Sequence, residues 1–240
     1  MGRMGLDWVT PYDTAALLWF LVLWVGYTLY TDHTPARHRT ISSAISRRRT
    51  LWLREAGHRD LRMIDTAILG NLITGVGFFA STTILVIGGL MAMMGVTAQV
   101  RTALSSLPLA GAASEAALEA KIAFLLAIFI YAFFKFAWAF RLANYCSITV
   151  GCLPASAHAD SERSRAISQA AAVLSIRSGH HFNRGLRAYF FALGALGWLV
   201  HPWLFALVST GVVIVLYRRE FNSQAVIELR RLEETESRSD

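Results

Sequence analysis

Five side chains in this sequence could handle a small ion if the fold brought them together: Lys135, Arg141, Asn144, His201 and Asn71. Lys135 interrupts a Phe-rich apolar run that Arg141 closes, His201-Pro202 stands near the middle of a second run, and Asn71 lies inside a third. Ionisable and amide groups within apolar runs are costly in a bilayer, which makes them first candidates for a polar path. Lysine and arginine along such a path would favour anions. Bland readings compete with this one. Lys135 stands about 9 Å along a helix from Arg141, a gap its side chain can largely bridge by snorkelling. A neutral His201 can simply hydrogen-bond between helices.

A second set is Arg47, Arg48, Arg49, Trp52 and Arg54. Ile41, Ala44, Ile45, Trp52 and Ala56 recur on one helical face, with Arg47, Arg49, Thr50 and Arg54 on the other side. That pattern fits a helix resting on a membrane surface, with Trp among the headgroups and Arg toward anionic lipid phosphates or a protein partner. The same arginines would be present merely to hold a connector on the cytoplasmic side. No nucleophile stands beside a base in a recognisable arrangement, no glycine loop could cradle phosphate, and the adjacent His180-His181 cannot supply an i, i+4 metal pair. The expectation is a non-enzyme with no cofactor and no metal site. Cys146 and Cys152 fit no zinc or redox spacing and read as free thiols in a reducing compartment.

The elements that would position these groups follow from composition. The 240 residues are 55% hydrophobic and 16% charged, and the mean hydropathy is +0.43. Soluble domains carry about 25% charged residues, so the deficit points to a bilayer. Four apolar runs, 11–30, 67–94, 122–140 and 188–217, are long enough to cross. The expected architecture is an all-α polytopic transmembrane helical bundle of about four spans, one membrane domain over 1–240, with amphipathic cytoplasmic connector helices. Pro202 predicts a kink in the last span. The connector 31–64 holds eight arginines and 151–187 holds five, whereas 96–121 holds only Arg101 and Lys121 against Glu115 and Glu119. Both basic connectors therefore read as cytoplasmic and the N-terminus as external.

The tail, 218–240, fits this scheme poorly. Four crossings export it although Arg218 and Arg219 abut the last run. The alternative is a re-entrant hairpin folding back at His201-Pro202, with the single crossing preferred on length. In the second connector Ile167, Ala170, Ala171 and Leu174 form an apolar face, with a break expected at Ser178-Gly179. That face could cover the first connector's helix or bind a partner. Residues 225–234 read as a short solvated helix, and Asp65 is placed to pair with Arg141. The net charge of +7 sits beside the apolar runs without a nucleic-acid motif, so no nucleic-acid partner is expected.

Several stretches together resemble a known family: Leu51-Trp52-Leu53 through Asn71-Leu72-Ile73, FKFAWAFRLAN ending at Asn144, GLRAYFFALGALGW from Gly185 to Trp198, and YRREF from Tyr217 to Phe221. They are similar to an uncharacterised membrane-protein family of bacteria and plants, domain of unknown function number 599. The resemblance implies a multi-span membrane protein and brings no activity, cofactor or catalytic residue. Where such sequences often carry Gly before the proline of the fourth run, this chain has His201. The expected setting is the bacterial inner membrane, crossed several times by a homo-oligomer among anionic lipids. The expected role is a channel or transporter for a small ion. The alternative is a non-catalytic scaffold docking a partner or anionic lipid through its arginine-rich connectors.

Overall fold

The computed structural model describes residues 10–106 and 114–239. Among the described residues the chain forms eight α-helices and no strand. These are α1 (Pro11–His33), α2 (Ile41–His58), α3 (Met63–Gly95), α4 (Thr97–Ser105), α5 (Glu115–Gly151), α6 (Glu162–Val200), α7 (Pro202–Phe221) and α8 (Gln224–Ser239). Local chemistry sets the starts of α1 and α2. Thr10 Oγ1 accepts the Asp13 N–H at 3.1 Å while Asp13 Oδ2 accepts the Thr10 N–H at 3.4 Å, a reciprocal cap with Pro11 at the first helical position. Thr40 Oγ1 accepts the Ser43 N–H at 3.1 Å to begin α2.

Three helices, α1, α3 and α5, are long and apolar enough to cross a membrane. The runs expected at 11–30, 67–94 and 122–140 lie inside them. α5 has 37 residues and is about 55 Å long, well beyond the hydrocarbon thickness of roughly 30 Å.

The fourth run, 188–217, is not one kinked crossing. It is divided between α6 and α7, and the two fold back on each other. Pro202 occupies the first position of a new helix, where its missing N–H costs nothing. His201 caps that helix: its carbonyl accepts the Phe205 N–H at 3.1 Å and its Nδ1 accepts the Trp203 N–H at 3.2 Å. Glycines let the arms meet. A Cβ on Gly194 would stand 3.0 Å from Ser209 Oγ, and one on Gly197 would stand 3.2 Å from the Leu204 carbonyl. Trp198 stacks on Phe205 with centroids 5.1 Å apart. The hairpin that length disfavoured is the observed arrangement.

The described residues fall into two compact units, within Met1–Arg37, Thr83–Ala132, Arg187–Arg219 and within His38–Thr82, Phe133–Leu186, Glu220–Asp240. In the first, α1 and α7 run parallel: Tyr12 and Trp203 meet near their starts with centroids 6.5 Å apart, and Tyr30 and Tyr217 near their ends at 6.3 Å. Fully buried Phe20 is surrounded by Trp24, Phe124, Phe191 and Phe205. Trp24 stacks flat on Phe191 at 5.2 Å. Such aromatic contacts add specific geometry to their apolar burial.

In the second unit, α2 packs against α6 through Leu53, Ala56, Ala171 and Ala172, joined by Leu69, Cys146, Val150 and Leu153. The apolar face of the second connector thus covers the first connector's helix. The break expected at Ser178-Gly179 does not occur, and α6 runs on to Val200. Ser178 Oγ donates to the Ala139 carbonyl at 2.8 Å, and Gly179 leaves room for the Arg49 guanidinium 3.2 Å from where a Cβ would be. Interhelical contact overrides the weak helix preference of Ser-Gly.

The tail is the largely exposed helix expected, but it is rooted in the protein. α8 lies against α2, with Val226 1% exposed. The tail and the arginine-rich connector consequently share one side of any bilayer the apolar helices cross. A single passage by 188–217 would have separated them.

Candidate functional site

Two charge pairs, one buried and one mostly covered, mark the first unit. At the start of α1, Asp13 Oδ1 accepts the Trp198 Nε1–H at 2.8 Å and lies 3.6 Å from Lys121 Nζ. Asp13 Oδ2 accepts the Thr10 hydroxyl at 2.6 Å. The Asp13 and Lys121 side chains are 8% and 7% exposed, and the ammonium lies 5.6 Å from the Trp198 ring centroid. Capping places the carboxylate, the first turns of α5 supply the lysine, and the end of α6 supplies the indole.

At the other end of α1, Arg187 of α6 donates from Nη2 to Asp32 Oδ1 and from Nη1 to Thr31 Oγ1, each at 2.8 Å. Its guanidinium carbon lies 5.9 Å from the Tyr27 ring centroid, and the Arg187 and Asp32 side chains are each 12% exposed. Asp13 and Asp32 are separated by about 28 Å of helix, close to the thickness of a hydrocarbon core. The aromatic cluster around Phe20 lies in this unit too. So do the 2.8 Å hydrogen bond between Thr83 and Tyr189 and the Ser209 hydroxyl, fully buried without a hydrogen-bond partner among the described residues.

Removing two opposite charges from water costs more than their attraction often returns, so such pairs are weak devices for stability alone. Sequence reasoning missed both. Asp13 stands without comment inside the run 11–30, and Lys121 counts only as a charge of the connector 96–121. The signal was present: each sits at the end of an apolar run that the basic-residue bias assigns to the same side.

The five residues expected to form a path are divided between the two units. His201, in the first unit, is the cap of α7. In the second unit, Arg141 donates to the Tyr145 hydroxyl at 2.8 Å and lies 5.8 Å from the Trp138 and Tyr145 ring centroids. Asn144 donates to the Phe140 carbonyl of its own helix at 2.9 Å, and Asn71 is exposed. Lys135 is half-buried, with the like charge of Arg184 acting on it. The Asp65–Arg141 pair does not form. Asp65, fully buried in the first turn of α3, accepts the Trp52 Nε1–H at 2.7 Å and pairs with Arg59. An acceptor there also suits the helix N-terminus.

The expected lipid or partner face of α2 is largely engaged within the protein. Arg47 holds Glu233 through Nε at 2.8 Å and Nη2 at 2.9 Å, and Arg48 Nη1 holds Glu236 at 2.6 Å. Arg49 turns inward and donates to the Ser175 carbonyl at 2.6 Å and hydroxyl at 2.9 Å; burial pushes its guanidinium below the ordinary value. Trp52 is committed to Asp65, and Arg54 is exposed. Among the described residues no three His, Cys, Asp or Glu side chains could share a metal ion.

An all-helical bundle with three helices long and apolar enough to cross a membrane, and charge pairs largely removed from water at both ends of one of them, defines a class of membrane protein. Within that class, the chain belongs to the family described as protein of unknown function, DUF599, whose model matches residues 15–225. No curated protein and no solved structure matches it.

Proposed function

We propose that this protein is a non-enzymatic, multi-pass component of the bacterial inner membrane that carries a small ion as a homo-oligomer, with the charged ends of α1 as its gates. The observation that carries this reading is the pairing Asp13–Lys121 at one end and Asp32–Arg187 at the other, largely removed from water. Opposite charges held together close a path until an ion competes for one of them. Aromatic rings around Phe20 form a plug of the same unit. Basic connectors and tail on the cytoplasmic side, with the Asp13 end outside, satisfy the orientation rule without exporting Arg218 and Arg219. Exposed Gly70, Thr74 and Ser81 on α3 supply the small-residue spacing that close helix approach between copies uses.

The test is ion flux through liposomes holding the purified oligomer, under imposed chloride, potassium and proton gradients. Asp13→Asn is expected to raise or abolish flux by unbalancing Lys121. The double variant Asp13→Leu/Lys121→Met removes the pair without leaving a lone buried charge. Flux in that variant equal to wild type would assign the pair to holding helices together and overturn the reading.

A second reading, docking of anionic lipid or a partner, is favoured by the exposed positions of Arg47 and Arg54 on α2.

A further inference from the structure

α2 carries an outward stripe of Arg47, Leu51, Arg54 and His58 at helical spacing, all exposed, with Leu51 45% exposed. A short 3₁₀ helix, Pro35–Arg39, links this helix to apolar α1, and a short connection links it to apolar α3. An exposed leucine among arginines, tethered at both ends to apolar helices, is the composition of a surface that meets lipid headgroups.

What covers part of it is the chain's own acidic tail. α8 is anchored at its root, where Val226 is 1% exposed. Farther along, it is held by polar contacts that water reaches. Arg230 donates to the Arg39 carbonyl at 2.7 Å. The Arg47–Glu233 side chains are 44% and 29% exposed, and those of Arg48–Glu236 are 20% and 48% exposed. Exposed ion pairs hold weakly and are screened by salt. Arg48 is moreover only half satisfied: its Nε and Nη2 are buried with no hydrogen-bond partner among the described residues. A carboxylate has taken one nitrogen of a group built to bind planar or tetrahedral anions through several donors.

We propose that the Arg47–Arg48–Arg54 face of α2 binds the phosphates of anionic phospholipids, and that α8 is a built-in competitor that occupies Arg47 and Arg48 until lipid displaces it. Glu233 and Glu236 stand where lipid phosphates would stand. When phosphate takes the two arginines, the outer turns of α8 lift while the Val226 root stays seated. The proposal is independent of ion conduction and survives its failure.

The experiment uses the full chain in nanodiscs, which expose both faces, made of phosphatidylcholine alone or mixed with phosphatidylglycerol. Two readouts are followed: tryptic release of the segment after Arg231, and phosphatidylglycerol retained in native mass spectra. Phosphatidylglycerol is expected to speed cleavage several-fold. Glu233→Gln/Glu236→Gln should cleave fast in both discs and retain more phosphatidylglycerol. Arg47→Gln/Arg48→Gln should also cleave fast in both, but retain less. Equal cleavage of wild type in the two discs overturns the competition. Undiminished retention by Arg47→Gln/Arg48→Gln, with melting unchanged, overturns the lipid site.

Discussion

Gly194 and Ser209 touch, although a continuous helix would hold them about 22 Å apart. The contact exists because α6 and α7 form a hairpin with glycines on its inner face. At Gly197 the crowding atoms are backbone, 3.2 Å from where a Cβ would be, and cannot rotate away. Gly197→Ala is therefore expected to lower stability by about 1–3 kcal/mol. Thermal unfolding in detergent checks this, with Gly26→Ala as the control, since nothing lies within 4 Å of its Cβ position.

On the proposed topology the hairpin returns the tail to the side of the arginine-rich connector. Reporters fused after Asp240 and inserted near His38 should both report cytoplasm, and one placed near Arg101 the opposite side. A periplasmic signal from the C-terminal fusion would restore the single crossing and contradict the packing of α8 on α2.

His201 serves α7 as a cap through Nδ1, an acceptor only when it carries no proton. His201→Ala should cost about 1 kcal/mol, and His201→Asn should recover most of it. Neither should alter ion flux at a fixed amount of folded protein. Altered flux with unchanged stability would return His201 to the polar path.

Glu233 is the carboxylate whose titration should be felt at the tail. The hydrogen bond from Arg47 leads the causes that hold its pKa below the ordinary value of 4.5. A depressed carboxylate stabilises docking above its free value, and that contribution disappears as pH falls through the lower docked value. Hydrogen exchange in α8, corrected for intrinsic rate, should accelerate as pH drops below about 4.5. In Glu233→Gln it should be fast at every pH and lack that step.

Much of the fold was legible because apolar runs and arginine clusters are local signals. The first three runs lie within α1, α3 and α5, and of the face read as Ile167, Ala170, Ala171 and Leu174 all but the exposed Ala170 join the cluster under α2. Misreadings came where a distant contact decided the outcome. Ser178-Gly179 reads as a break until Ala139 and Arg49 are beside it. Pro202 reads as a kink until Gly194 meets Ser209, because proline opens a helix as readily as it bends one. The candidate site was less legible still. Lys135 and His201 drew attention as polar residues inside runs, but the buried pairs formed at run ends, where sequence alone suggests exposure. Asp13 and Lys121 are far apart in the chain, and no local pattern links them.

That separation has a consequence for synthesis. α1 is made long before its partners, so Asp13 enters the membrane region with neither Lys121 nor Trp198 yet in existence. At roughly 5–20 residues per second, on the order of ten seconds pass before Lys121 is made, and several more before Trp198. Through that interval the first apolar helix holds a carboxylate in its first turn, satisfied by Thr10 and water alone. The helix that begins the bundle is thus completed only after α6 and α7 have been made.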